Sequence, residues 1–87
     1  MKQNIYIVYD TVSEDTVVIG TATTDGAFIR QNRQYMEKFN PNWLTDFELY
    51  CVGEYKPVSK SLVPCDARLV AWNTYNVPEV PVENKIN

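Results

Sequence analysis

The stretch that most constrains this chain is Asp46-Phe47-Glu48-Leu49-Tyr50-Cys51-Val52-Gly53-Glu54-Tyr55, the longest alternating segment in the sequence. Side chains alternate across a strand with period two. Phe47, Leu49 and Cys51 therefore share one face, and Glu48, Tyr50, Val52 and Glu54 share the other. The first face is apolar and the second mixed, which predicts an antiparallel strand covered on one side only.

The sequence before it supplies partners and a cover. Residues 4–10 are rich in β-branched and aromatic side chains and predict a first strand, with Ile5, Ile7 and Tyr9 on one face and Tyr6 and Val8 on the other. Residues 11–15 are a mostly polar and acidic turn. Residues 16–20 predict a second strand in a hairpin with the first, which Gly20 ends or bulges. Thr23 or Thr24 is a helix N-cap, followed by Asp25 where the helix dipole favours a negative charge. Beyond Ala27, the residues Phe28, Ile29, Tyr35, Met36 and Phe39 fall near one helical stripe. Arg33 and Glu37 are spaced to pair. Asn40-Pro41 stops the helix, because the residue before proline is pushed out of the α region.

Trp43 and Leu44 are expected to cover one end of the core. Residues 56–61 predict a turn with Pro57 at its second position. Leu62-Val63 begins the return and Pro64 interrupts it, as at an edge or a bulge. Residues 67–72 predict the last strand. The fold class is thus α+β: a small antiparallel sheet of about four strands, in the order strand, strand, helix, strand, strand, with one helix packed on a face. Residues 1–76 are expected to form a single domain. Residues 77–87, with Pro78 and Pro81, are expected to form a flexible, extended C-terminal tail.

Composition narrows the function. The chain has 87 residues, 45% of them apolar, enough for one thin core whose stability a dimer interface would increase. Its net charge of −3 opposes gripping phosphates through bulk charge. There is no histidine, the commonest general base and metal ligand, and the three glycines are scattered rather than gathered in a phosphate loop. No nucleophile has a nearby base. We expect no enzyme activity, no cofactor and no metal. Met1 to Asn4 leads into a short apolar run that Asp10 ends, too short for a secretory or membrane segment, so a reducing compartment and free thiols are expected. Cys51 and Cys65 flank the predicted turn nearly opposite each other, and both are read as buried reduced cysteines.

The aromatic residues are the most informative. If register aligns them, Tyr6, Tyr50 and Trp72 form a stacking platform for single-stranded nucleic acid, with Arg30, Arg33, Lys56, Lys60 and Arg68 holding phosphates. The simpler reading is that these aromatics fill a core or an interface. Glu48 and Glu54 weigh toward it, because they share Tyr50's face and repel phosphates.

The central strand also resembles the Phe-x-Leu-Tyr-x-x-Gly-Glu-aromatic segment of the small nonstructural proteins of gokushoviruses, tailless bacteriophages with circular single-stranded DNA. The likeness spans roughly residues 4–72. It includes a first strand ending in Tyr9-Asp10, a central helix with Ala27-Phe28-Ile29-Arg30, and the Asn40-Pro41 break. Lys56-Pro57-Val58-Ser59-Lys60 departs from it, standing where that family has an acidic turn. The resemblance implies a nonstructural protein in the host bacterial cytoplasm, away from membranes, acting in viral single-stranded DNA replication or packaging. Two modes of action follow as expectations. One is weak single-stranded DNA binding through the residues above. The other is a protein-interaction module, a homo-oligomer or an adaptor to viral replication or capsid proteins.

Overall fold

The computed structural model describes residues 2–72. The expected tail, residues 77–87, lies outside the described residues. Six elements follow in order: β1 (Gln3–Asp10), β2 (Asp15–Ala22), α1 (Asp25–Phe39), the single-turn α2 (Trp43–Asp46), β3 (Phe47–Lys56) and β4 (Ser61–Val70). The strands form one sheet in the order β2-β1-β3-β4, with every neighbouring pair antiparallel. This is the expected α+β arrangement. Because β2 and β3 both run antiparallel to β1, the chain must return along the sheet between them. A 15-residue helix spans about 22 Å and makes that return.

The local sequence sets the helix ends. Thr24 is the N-cap, its Oγ1 accepting from the Ala27 N–H at 3.1 Å, and Asp25 occupies the first turn. Asn40 is extended ahead of Pro41 and ends the helix at Phe39. Arg33 and Glu37 form the expected pair at 3.0 Å. The buried stripe is narrower than the spacing predicts. Phe28, Ile29 and Met36 are buried, but Tyr35 and Phe39 remain 53% and 54% exposed. Their rings stack on each other with centroids 6.0 Å apart, and Phe39 reaches Phe47 at the start of β3. The last turn of α1 therefore sits at the rim of the sheet.

The link to β3 is also corrected. Residues 43–46 form a helical turn, in which successive side chains point about 100° apart. Trp43 enters the core while Leu44 stays exposed.

The core lies wholly between the helices and one face of the sheet. Tyr6 and Val8 of β1, Phe47, Leu49 and Cys51 of β3, and Val70 of β4 meet Phe28, Ile29, Met36 and Trp43. One carboxylate fastens three elements around it. Asp25 Oδ1 accepts from the Tyr6 hydroxyl, and Arg68 of β4 donates to both Asp25 oxygens at 3.0 and 3.1 Å.

The second hairpin carries the irregularity that Pro64 predicts. Cys51 pairs with Arg68 and Gly53 with Pro64, so two steps on β3 face four on β4. Gly53 runs so close to β4 that a Cβ there would lie 2.8 Å from the Val63 carbonyl oxygen. Within this bulged segment Cys65 is exposed, against the expectation that both thiols are buried, while Cys51 is buried. β4 ends at Val70, so Trp72 follows the strand instead of lying in it.

Candidate functional site

The face of the sheet away from α1 carries the most unusual surface. Alternation along β1 turns Ile5, Ile7 and Tyr9 to this side, because Tyr6 and Val8 face the helix. Register then places four side chains in one row across the whole sheet. Ile7 pairs with Ile19 on one side and with Tyr50 on the other, and Tyr50 pairs with Leu69. The row reads Ile19, Ile7, Tyr50, Leu69, one residue from each strand. At its ends Ile19 and Leu69 are 73% and 59% exposed. Tyr9 and Glu48 pair just beyond it, and Ile5 pairs with Thr21 on the other flank.

Tyr50 donates its hydroxyl to Glu48 Oε1 at 2.7 Å. That hydrogen bond, more than the partial burial of the ring, raises the phenol above its ordinary pKa. The ring thus presents its apolar body to solvent, with its polar end held within the same strand.

Charge is distributed along the strands. At the β1–β2 turn end stand Asp10, Glu14, Asp15 and Asp46, with Glu48 one step in. At the opposite end stand Lys2, Lys56 and Lys60, with Glu54 paired to Lys2 at 3.0 Å. Lys2, Lys56, Val58 and Ser59 line a shallow hollow of about 350 Å³ there.

The proposed stacking platform does not assemble in this register. Tyr6 pairs with Cys51 and is fully buried on the helix side, beneath Phe28 with ring centroids 4.8 Å apart. Burial first, and its hydrogen bond to Asp25 second, raise the Tyr6 phenol well above the ordinary tyrosine value. Trp72 is on the helix side too. Its ring packs edge-on against Trp43 at 4.9 Å and its Nε1–H donates to the Phe47 carbonyl at 2.8 Å. Only Tyr50 of the three faces outward from the sheet, and Tyr9 joins it there. The basic residues are equally dispersed. Arg30 and Arg33 lie on the helix, Arg33 bound to Glu37. Arg68 is held by Asp25, which raises its already high pKa further. Lys56 and Lys60 flank the β3–β4 turn. What spacing alone missed is the row itself. Its members were visible as apolar residues, but only the register shows that they line up.

Among the described residues no group of three or more carboxylates and thiols is placed to hold a metal ion, and no helix is long and apolar enough to cross a membrane. No curated protein and no solved structure matches the chain. A family model described as phage ORF5 protein matches residues 3–77, which takes in all six elements of the fold. The chain belongs to the phage ORF5 protein family.

Proposed function

We propose that this phage protein is a non-catalytic interaction module. It acts in the replication or packaging of a single-stranded DNA genome in the host bacterial cytoplasm, and it engages protein through the open face of its sheet. The observation that carries the reading is the row Ile19, Ile7, Tyr50, Leu69 on a face that no other element among the described residues covers. A sheet normally buries its apolar face against another element, and an exposed patch spanning all four strands marks a place where a partner completes that burial.

The genome-related role is supported by membership of the phage family together with the resemblance of the central strand to gokushovirus nonstructural proteins. The choice of protein over DNA is supported by the charges. Glu48 holds the Tyr50 hydroxyl, and Lys56 and Lys60 stand at the far end of the sheet from Tyr9 and Glu48. A base stacked on Tyr50 would place its phosphate near a carboxylate.

Two titrations test this. Labelled single-stranded DNA, followed by fluorescence anisotropy at low and moderate salt, should show no salt-sensitive binding. The phage's own replication and capsid proteins, and the chain itself, mixed one by one with a tagged copy of the chain, should include one that it retains, and Ile7→Lys should lose that retention. Salt-sensitive DNA binding that is abolished by Lys56→Glu and Lys60→Glu would instead establish the direct DNA mode.

A further inference from the structure

We infer that Cys51 and Cys65 form an oxidation site: a cross-strand pair of thiols that a small-molecule disulfide converts to one intramolecular disulfide, pinning the bulge of β4 to β3. This is independent of the interaction reading above and concerns the opposite side of the sheet.

The register puts the two thiols together. Cys51 of β3 belongs to the core and so faces α1. It pairs with Arg68 of β4, which reaches Asp25 at the start of α1 and therefore faces the same side. Gly53 pairs with Ile5 on the open side and with Pro64 of β4. Cys65 comes one residue after Pro64, and alternation turns it back toward the helix side, where Cys51 stands. A contact fixes this placement. The Cys65 thiol donates to the Cys51 carbonyl oxygen at 3.9 Å, although 14 positions separate the two residues. The Cys51 thiol turns to the Gly53 carbonyl oxygen at 3.8 Å, within the same irregular segment. Both thiols are free, and they are the only two cysteines in the sequence.

The backbone can accept the bridge. A disulfide needs its two Cα atoms about 4.4–6.8 Å apart, and antiparallel neighbours stand about 5 Å apart. The bulge supplies slack, because Cys65, Asp66 and Ala67 of β4 lie opposite Val52 alone on β3. All three are exposed, so Cys65 turns toward Cys51 without disturbing a packed layer. It gives up only the weak hydrogen bond of a thiol.

Their surroundings divide the roles. Cys65 is exposed and meets the oxidant first, while Cys51 is buried beside it. The Cys65 thiolate attacks one sulfur of the small disulfide, forming a mixed disulfide and expelling one thiolate. The Cys51 thiolate then attacks the Cys65 sulfur, forming the internal bond and expelling the second. The two protein thiols lose two protons and two electrons, and the small disulfide is reduced to two thiols. The Arg68 guanidinium lies within electrostatic reach of both sulfurs and favours their thiolates. Desolvation first, and the Cys51 thiol next, still hold the Cys65 pKa above its ordinary value, so the exchange should quicken as pH rises.

The test is incubation of the full chain with oxidised glutathione at mildly alkaline pH, an acid quench and intact-mass measurement. The expected product is a single chain lighter by two hydrogen atoms, with little glutathione adduct, in which peptide mapping joins Cys51 to Cys65. Cys51→Ala should stop at a glutathione adduct on Cys65. The equilibrium constant for closing the bridge against glutathione should be about tenfold or more larger in native buffer than in denaturing urea, because the fold holds the sulfurs together. That comparison uses the wild-type chain and does not depend on how the variant folds. The oxidised chain should also unfold at a higher urea concentration than the reduced one, since the bridge closes the loop of the second hairpin. A wild-type chain that stops at the glutathione adduct, links only to a second chain, or closes no better folded than unfolded overturns the inference. A urea midpoint lowered by oxidation overturns it too, because the bridge would then distort the sheet.

Discussion

Tyr6 donates its phenolic hydrogen to Asp25 at 2.5 Å, which joins a central strand of the sheet to the first turn of the helix above it. The same hydroxyl accepts from Asn4 Nδ2 at 3.0 Å. A buried phenol with both roles filled is stable only while it keeps its proton.

That gives the alkaline limit of the fold. The Tyr6 pKa is raised in the folded chain, by burial first and by Asp25 next. The contribution is therefore complete below the unfolded value of about 10 and is lost as pH rises above it, because the unfolded chain releases this proton first. The loss should approach about 1.4 kcal/mol per pH unit while the folded phenol stays neutral. Urea midpoints measured at pH 8 and pH 11 should differ accordingly, and Tyr6→Phe should remove most of the difference.

Asp25 should matter more than either of its donors taken singly. Asp25→Ala leaves a buried hydroxyl and a guanidinium without their acceptor and removes the negative charge from the first turn of α1. It should cost about 2–4 kcal/mol in chemical denaturation. Arg68→Met should cost less than about 1 kcal/mol, because the Arg68 side chain is 54% exposed and its ion pair is weakened by solvent.

The two faces of α1 predict opposite outcomes for residues adjacent in sequence. Met36 is fully buried, so Met36→Ala should lose about 2–5 kcal/mol. Tyr35 lies at the rim in contact with Phe39, and Tyr35→Ala should lose about 1 kcal/mol or less. Thermal unfolding of the two variants side by side checks the ordering.

Gly53 is constrained by contact with backbone. An added methyl would meet the Val63 carbonyl oxygen and Pro64 Cα, neither of which moves without displacing β4. Gly53→Ala should destabilise by about 1–3 kcal/mol. Amide chemical-shift changes should concentrate in Leu62, Val63 and Cys65 and spare α1.

Much of this fold is legible in the sequence because the decisive signals are local. Alternation over residues 47–51 specifies a strand and its buried face, and the bulge at Val52 then reverses the alternation, setting Glu54 opposite Asn4 on the helix side instead of beside Tyr50. Thr24 and Asp25 specify a helix start, and Asn40-Pro41 its end. Pro64 marks an irregular outer strand. What is not legible depends on how strands slide against one another. A shift of one residue moves a side chain to the opposite face, so nothing in residues 4–10 alone says whether Tyr6 or Ile7 stands beside Tyr50. The β1–β3 pairing sets Ile7 there and sends Tyr6 into the core with Cys51. That one step dissolves the expected platform of Tyr6, Tyr50 and Trp72 and creates the apolar row in its place. Tyr35 and Phe39 fit the helical stripe by spacing, but the end of the sheet beneath α1 is a tertiary fact that the helix sequence does not contain.

The outer margins of the sheet decide how far any assembly grows. At one margin Pro64 has no amide hydrogen to donate, and β4 falls out of step with β3 between Arg68 and Pro64. At the other, the β2 register slips beside Val17. Neither border offers an unbroken template on which a further strand can be laid, so a ribbon of copies joined side by side is denied at both ends. A chain with an apolar row across its sheet can thus present that face without seeding a fibre through its edges.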